Sequence, residues 1–211
     1  LHNLEADEIV IIDILKNLAE GEALDLSHAA AGFGKNAKIS GGDDYSKTNG
    51  SDFAVITAGR ARKQGETREQ LFEFNKKIVE RVCEKLKSFC PEATIIVVTN
   101  PSSEMTEIAK VYFQKAVGME NQLDTARAKF YISKELGINP AEVKSFVSGG
   151  HGENMKVEFA ENLSSEQKKK ITAEVRNAGA EIIAKKGTSS SWGIAVQISE
   201  TIKNISNNRK A

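Results

Sequence analysis

The chain has 211 residues, and its 29 basic and 29 acidic side chains give a formal net charge of +0 at pH 7. This length is sufficient for one or two domains with a sizeable core. The balanced charge excludes a global field for nucleic acid or an anionic membrane, and no apolar stretch approaches the length of a membrane span, so a small-molecule role is favoured.

The first predicted element is a strand at residues 8–12, where a β-branched apolar run ends at Asp13. Such a continuous run is typical of a strand that is buried on both faces of a parallel sheet. A carboxylate at its tip would lie where dinucleotide-binding folds hold the ribose hydroxyls of NAD, and its charge would repel the extra phosphate of NADP. The alternative is a polar turn that only ends the strand.

Strands and helices alternate through the first half of the chain. A short helix is predicted at residues 18–26 and a longer one at 69–87, where apolar residues follow helical spacing. Buried strands are predicted at 53–56 and 94–98, with a weaker strand at 116–118. This order predicts a parallel sheet with crossover helices, whose strand ends would line a ligand crevice.

The second half is predicted to be mainly helical. One helix is marked by Leu123, Ala126, Phe130 and Leu136, and Gly137 is placed to end it. Asn139-Pro140 is typical of the start of a short helix. A capping box at Ser164 and Gln167 predicts a long helix whose buried face is Ile171, Val175, Ala178 and Ile182. The last predicted helix carries Trp192, Val196, Ile198, Ile202 and Ile205. We expect residues 206–211 to fray.

The two cysteines, Cys83 and Cys90, lie about two turns apart on a predicted helix. A rise of roughly 10 Å is too large for a disulfide unless the helix breaks. We therefore expect free thiols, no metal site and a reducing, cytoplasmic location.

A very polar segment, residues 60–68, directly follows the strand at 53–56. It holds four cations, one acid and a glycine, which is a composition that belongs on the surface. It is either a solvated charge run or a mobile lid that carries guanidinium groups onto an anionic substrate. Its position at a strand end favours the lid.

Two further clusters contain groups that suit catalysis. Asp124 and Arg127 are three residues apart and share one helical face, a pattern that taken alone is typical of a surface ion pair. His151 lies between two glycines, so its imidazole is free to face a cleft, and it can exchange a proton near neutrality. Neither cluster is specific by itself.

Six segments occur in the order, and at roughly the spacing, of one known family. They are Val55-Ile56-Thr57-Ala58-Gly59, Arg62-Lys63, Gly65-Glu66-Thr67-Arg68, Val98-Thr99-Asn100-Pro101, Leu123-Asp124-Thr125-Ala126-Arg127 and Gly150-His151-Gly152. Together they resemble the lactate/malate dehydrogenase family over nearly the whole chain. The resemblance implies an α/β protein, with a Rossmann-type parallel sheet domain at 1–118 and a mainly helical α+β substrate domain at 119–211.

The resemblance also implies reversible hydride transfer between NAD and a 2-hydroxy acid. His151 would exchange the proton of the substrate hydroxyl, and Asp124 would orient and stabilise its imidazole. Arg127 would bind the C1 carboxylate of the substrate. Arg68 would polarise the reacting carbonyl, and Asn100 would bind near the substrate and the nicotinamide ribose.

Further binding positions follow from the same resemblance. Ser190 would contact the substrate. The cofactor-binding residues would be Asp13, Thr57, Ala58, Gly59, Asn75, Thr99 and Asn100. The family also implies a homodimer or homotetramer, with no nucleic acid or membrane partner.

Arg62 determines the expected substrate. The family's lid places a residue there that faces the far end of the substrate, where a neutral group suits lactate and an arginine suits a second carboxylate. Leaving that carboxylate unpaired would cost on the order of 3–5 kcal/mol. We therefore expect malate and oxaloacetate, a step of the tricarboxylic acid cycle.

Three alternatives stay open. The chain could act on lactate or another 2-hydroxy acid, or be a non-catalytic binding protein of this fold. A hydrolase built on His151 and Asp124 lacks an activated nucleophile.

Several features depart from the family. The glycine-rich loop and first strand expected before residue 8 are not found, nor are the strands that would follow Asn204. Residues 110–117 are a few positions short, and Gln64 and Glu153 replace the usual proline and aspartate. We expect that the sequence omits parts of a longer chain.

Overall fold

The computed structural model describes residues 6–60, 67–149 and 154–210. By their contacts the residues form two compact units, one of Leu1–Gly118 with Ser199–Ala211 and one of Met119–Ile198. The domains predicted from the sequence, 1–118 and 119–211, differ from these units in the placement of residues 199–211, and they stay a prediction.

The first unit is built from parallel strands and helices. Its elements are β1 (Glu8–Ile12), α1 (Lys16–Gly32), β2 (Lys38–Gly42), β3 (Phe53–Ile56), α2 (Arg68–Phe89), β4 (Thr94–Val97), α3 (Ser102–Tyr112) and β5 (Ala116–Gly118). Strand β1 pairs with β2, and β4 pairs with β3 on one side and with β5 on the other. Every one of these pairs is parallel, as predicted.

Strand β1 lies where the sequence predicts it, but it is not buried on both faces. Residues 9–12 are only half-buried, because β1 has no described strand partner other than β2. Strand β2 was not predicted, since its sequence Lys-Ile-Ser-Gly-Gly contains a single large apolar residue. The unit therefore holds a two-stranded and a three-stranded sheet.

The core of the first unit surrounds β4, whose four residues are all buried. Helices α2 and α3 supply most of the remaining core through Val79, Cys83, Leu86, Met105 and Ala109. Both cysteines are buried and free, as expected. Burial raises the pKa of Cys83 to about 12, so its thiol stays protonated at neutral pH.

The second unit is mainly helical, as predicted. Its elements are α4 (Gln122–Leu136), β6 (Phe146–Ser148), β7 (Lys156–Glu158), α5 (Ser165–Lys186) and the first part of α6 (Trp192–Lys210). The antiparallel strands β6 and β7 are three residues each, too short for an alternating pattern to predict. Helix α6 continues through Lys210, so the predicted fraying from residue 206 is wrong.

The predicted helix is present as α4. Its buried residues include Asp124, Ala128 and Ile132, whereas Phe130, one of the residues that mark the helix in the sequence, is 56% exposed. Apolar residues occur on several sides of this helix, so a hydrophobicity pattern alone does not identify the side that packs on Ile171. Ile171, Val175 and Ala178 do form the buried face of α5, as predicted, although Ile182 is half-buried.

The predicted helix ends are confirmed. Gly137 ends α4 in the left-handed conformation, and the Asn139 carboxamide accepts a hydrogen bond from Ala141 N at 2.9 Å. Ser164 and Gln167 form both bonds of a capping box at the start of α5. Among the described residues, none of the helices combines the length and the apolar composition that a membrane span requires.

The capping box gives a first prediction. Ser164→Ala removes the hydroxyl that accepts from Gln167 N, and we expect it to lower the free energy of unfolding by about 1 kcal/mol. Ser165→Ala is the control, because Ser165 is an exposed first-turn residue and its loss should stay within about 0.5 kcal/mol. Equal losses for both variants in urea unfolding would contradict the assignment.

Candidate active site

The carboxyl ends of β3 and β4 form a joined structure in the first unit. The Thr99 hydroxyl, just after β4, donates to Ala58 O at 2.8 Å and to Ile56 O at 3.2 Å. Thr57, Ala58 and Gly59 are exposed, as is Asn100, while Thr99 is buried beneath them. The structure thus brings five of the predicted cofactor residues to one sheet edge.

Gly59 is required by this close approach. Its φ of 154° favours glycine, and a Cβ there would lie 2.5 Å from Thr99 Cγ2. A side chain would push the two strand ends apart. The backbone of residues 57–59 is therefore both exposed and unencumbered.

Asn75 joins the same two strand ends from α2. Its side chain is fully buried, with 0% of its surface exposed. The amide Nδ2 donates to Asn100 O at 2.7 Å and to Arg60 O at 3.2 Å, and Oδ1 accepts from Arg60 N at 3.0 Å. Asn75 thus links backbone on either side of the edge.

Asp13 follows β1 directly and is half-buried. Its carboxylate accepts a hydrogen bond from Leu15 N at 2.8 Å, and its own backbone N–H donates to Gly42 O at 3.0 Å. In the described part of the chain, no hydrogen bond connects Asp13 with the ends of β3 and β4. Burial raises the pKa of Tyr45, and the nearby charge of Asp13 raises it further.

Asp124 and Arg127 form a buried ion pair in the second unit. Arg127 Nη1 donates to Asp124 Oδ1 at 2.7 Å, and the two side chains are 12% and 1% exposed. A surface ion pair, the usual interpretation of this spacing, is therefore wrong here. The guanidinium lies against α5, where a Cβ on Gly179 would be 3.6 Å from Nη2. Arg127 Nε is buried and has no hydrogen-bond partner among the described residues.

Strand β6, which precedes His151 in the chain, is hydrogen-bonded to the same helix. The Thr125 hydroxyl, next to Asp124, accepts from Val147 N on β6 at 3.0 Å. Gly149 has a φ of 84°, and a Cβ there would lie 2.2 Å from Asn154 O. Gly149 and Asn154, which flank residues 150–153, therefore lie close to each other. His151 itself lies outside the described residues.

The carboxylate of Glu161, shortly after β7, binds the residues that come just before β6. Glu161 accepts hydrogen bonds from Lys144 N at 2.6 Å, from Ser145 N at 3.3 Å and from the Ser145 hydroxyl. Burial alone would raise the pKa of Glu161, but the bonds from Ser145 and from the backbone outweigh it and lower that pKa overall. The sequence gives no signal for this clamp, since its two sides are separated by strands too short to predict.

The remaining predicted substrate residues are described only in part. Arg62 lies outside the described residues, and so does the side chain of Arg68, which begins α2 after the capping residue Thr67. Ser190 is half-buried shortly before α6, and its hydroxyl lies 3.3 Å from the position of a Cβ on Gly193.

The Arg60 guanidinium lies over the Phe74 ring, 4.2 Å from its centroid. Across the described ranges, no group of three or more metal-ligating side chains is found.

Comparison with known families identifies both halves of the chain. Residues 2–122 match the lactate/malate dehydrogenase NAD binding domain, and residues 121–211 match the lactate/malate dehydrogenase alpha/beta C-terminal domain. The chain belongs to the lactate/malate dehydrogenase family. The resemblance and the α/β fold inferred from the sequence are thus confirmed, and this is a family of NAD-dependent oxidoreductases.

Individual relatives of this dehydrogenase family carry malate dehydrogenase names. A malate dehydrogenase of Caldivirga maquilingensis is 36% identical, over 97% of this chain and 71% of the relative. A malate dehydrogenase of Pyrobaculum calidifontis is 38% identical, over 88% of this chain and 65% of the relative. The chain thus spans about two thirds of the length of these curated relatives.

Solved structures show the same fold. The malate dehydrogenase of Archaeoglobus fulgidus in complex with NADH has a TM-score of 0.85 and 37% identity, covering 97% of this chain and 71% of that one. The apo malate dehydrogenase of Picrophilus torridus has a TM-score of 0.88 and 32% identity, covering 97% and 69%. A lactate dehydrogenase of Cryptosporidium parvum has a TM-score of 0.83 and 27% identity, covering 94% and 68%.

The Gly59 geometry gives a second prediction. We expect Gly59→Ala to lower the free energy of unfolding by about 1–3 kcal/mol, because the new Cβ would meet Thr99 in a backbone conformation that disfavours it. Gly21→Ala on α1 is the control, since nothing lies within 4 Å of its Cβ and alanine favours helix by about 0.5–1 kcal/mol. Denaturant unfolding measures both, and a neutral Gly59→Ala would contradict the close approach.

Proposed function

We propose that the protein is an NAD-dependent malate dehydrogenase, which transfers hydride reversibly between (S)-malate and oxaloacetate. The observation that carries this proposal is the buried Asp124–Arg127 ion pair on α4. Next to it, the Thr125 hydroxyl accepts a hydrogen bond from Val147 N on β6, the strand that precedes His151 in the chain. The malate dehydrogenase names of relatives at 36–38% identity support it.

The residues at the strand ends fit a dinucleotide. The backbone at residues 57–59 is exposed, and a side chain at Gly59 does not fit. Asp13 at the end of β1 offers a carboxylate that can accept hydrogen bonds from ribose hydroxyls. We propose that NAD would be held by Asp13, Thr57, Ala58, Gly59, Asn75, Thr99 and Asn100, and its nicotinamide would supply the hydride acceptor.

The groups of the second unit supply the proton chemistry. His151 accepts the proton of the malate hydroxyl as the C2–H bond is broken, and returns it in the reverse direction. Asp124, with 1% of its side chain exposed, stabilises the imidazolium so formed. Arg127 binds the C1 carboxylate of the substrate through guanidinium N–H groups that Asp124 does not use.

Arg62, Arg68, Asn100 and Ser190 complete the substrate site in this proposal. Arg68 polarises the carbonyl of oxaloacetate, and Asn100 and Ser190 donate hydrogen bonds to the substrate. Arg62 binds the second carboxylate, which distinguishes malate from lactate. The overall fold does not separate the two substrates, since malate and lactate dehydrogenases have similar TM-scores of 0.85 and 0.83 with this chain.

We further propose a homodimer or homotetramer that acts in the cytoplasm, in the tricarboxylic acid cycle. Exposed leucines on or next to α1 support self-association, since Leu15, Leu18 and Leu24 are 49–60% exposed. The free, buried Cys83 and Cys90 support a reducing compartment.

Substrate discrimination tests the proposal. We expect NADH oxidation with oxaloacetate to be at least about a hundredfold faster than with pyruvate, because pyruvate has no second carboxylate and would leave the Arg62 guanidinium unpaired, at a cost on the order of 3–5 kcal/mol. Arg62→Gln should remove most of that preference. Lys63→Gln removes the adjacent positive charge and should leave the preference intact.

Other outcomes have distinct meanings. Equal rates with both acids would contradict malate as the substrate, and the same preference in Arg62→Gln would contradict the role assigned to Arg62. Turnover that survives His151→Ala would contradict the assigned proton exchange. Failure of the protein to bind NADH would favour a non-catalytic binding protein.

A further inference from the structure

Thr125 lies between the two charged residues of the buried ion pair on α4. It is half-buried, and its hydroxyl accepts a hydrogen bond from Val147 N on β6 at 3.0 Å. Because the two residues are 22 positions apart in the chain, this bond joins α4 to a separate part of the second unit. The proposed function assigns roles to Asp124 and Arg127, but none to Thr125.

The bond satisfies a backbone group on the side of β6 that faces α4. Strand β6 pairs with β7, and Val147 stands opposite Val157 in that pair. In an antiparallel ladder, a backbone N–H points either toward the partner strand or away from it. The Val147 N–H is directed at α4, where it meets the Thr125 hydroxyl. Since Val147 is only 5% exposed, removing the hydroxyl would leave this N–H buried without an acceptor.

The hydrogen bond specifies more than the apolar packing around it. Val147 belongs to the same buried cluster as Ala128 and Ile132 of α4. Apolar burial is non-directional, so it brings β6 and α4 together without selecting which residues stand side by side. A hydrogen bond to one backbone N–H does select them, because it requires a short distance and a near-linear angle. Thr125 thus determines which part of β6 lies beside Asp124.

We propose that Thr125 is a positioning residue that holds β6, the strand leading to His151, in register with Asp124. This inference rests on the proposed function, in which Asp124 stabilises the imidazolium of His151. Val147 precedes His151 by four positions, and Thr125 directly follows Asp124. The one hydrogen bond therefore connects the two segments that carry the proton acceptor and its carboxylate.

The variant Thr125→Val tests the hydroxyl. Valine has nearly the shape and the helix propensity of threonine, but it offers no acceptor to Val147 N. We expect the single-turnover rate of NADH oxidation by oxaloacetate to fall about tenfold or more, because a misplacement of about 1 Å can cost about a hundredfold. The oxaloacetate concentration that gives half of this rate should change by less than about twofold, since Arg127 is retained.

Two further variants separate positioning from a general loss of stability. Thr125→Ser keeps the hydroxyl and should retain the rate within about threefold. Thr172→Val is the matched control, because Thr172 is also half-buried and its hydroxyl donates to Lys168 O within its own helix. This control should leave the rate unchanged. If Thr125→Val does not fold, Thr125→Ala is measured against the same two variants.

Three kinetic results would overturn the proposal. The first is an unchanged single-turnover rate in Thr125→Val. The second is a loss in Thr125→Ser that equals the loss in Thr125→Val, since the methyl group and not the hydroxyl would then be needed. The third is a loss in Thr125→Val that higher oxaloacetate concentrations fully restore, which would place the effect on substrate binding.

Hydrogen exchange of the Val147 amide provides a readout that needs no activity. The amide should be protected in the unmodified protein and in Thr125→Ser, and should exchange at least about tenfold faster in Thr125→Val. Rapid exchange in the unmodified protein would overturn the linkage. A protein with a protected Val147 amide that binds NADH but does not reduce oxaloacetate would instead overturn the proposed function, and with it the role of Thr125 in proton exchange.

Discussion

The second unit depends on the burial of one carboxylate. Asp124 is 1% exposed, so its charge requires a cation within the fold, and Arg127 provides it one turn along α4 at 2.7 Å. Leaving such a charge without its partner typically costs about 3–5 kcal/mol. Because the pair shares a face with Ala128 and Ile132, the packing that forms the core of this unit also determines where the guanidinium lies.

In the first unit, buried hydrogen bonds give the strand ends a comparable rigidity. The Thr99 hydroxyl and the Asn75 amide bind backbone oxygens from two strands, beneath the exposed backbone of residues 57–59. Both side chains are inside the protein, whereas Ala58 and Asn100, whose carbonyl oxygens they bind, are exposed residues. The arrangement presents unencumbered backbone at the carboxyl ends of parallel strands, which is where open α/β sheets bind ligands.

Elements with a strong local signal could be predicted from the sequence. The apolar runs of β3 and β4, the capping box of Ser164 and the glycine after α4 each depend on a few neighbouring residues, and the structure confirms them. Strands β2, β6 and β7 could not be predicted, because they are short or polar and are specified by their pairing partners.

The candidate site shows the same division. The spacing of Asp124 and Arg127 predicts that they share a helical face, but an exposed and a buried pair look alike in the sequence. The burial of the pair depends on the packing of α5 against the Arg127 guanidinium, which the local sequence does not specify. Likewise, the carboxamide of Asn75 resembles any polar helix residue until the ends of β3 and β4 are brought to it.

A crystal structure of the protein with NADH and a non-reactive dicarboxylate analogue of oxaloacetate would show whether the buried ion pair serves the substrate. We expect the C1 carboxylate to bind the Arg127 guanidinium at about 2.8 Å, the distance of charge-assisted hydrogen bonds, and Asp124 to accept a hydrogen bond from the His151 ring. A dicarboxylate bound elsewhere, with His151 far from Asp124, would contradict this expectation.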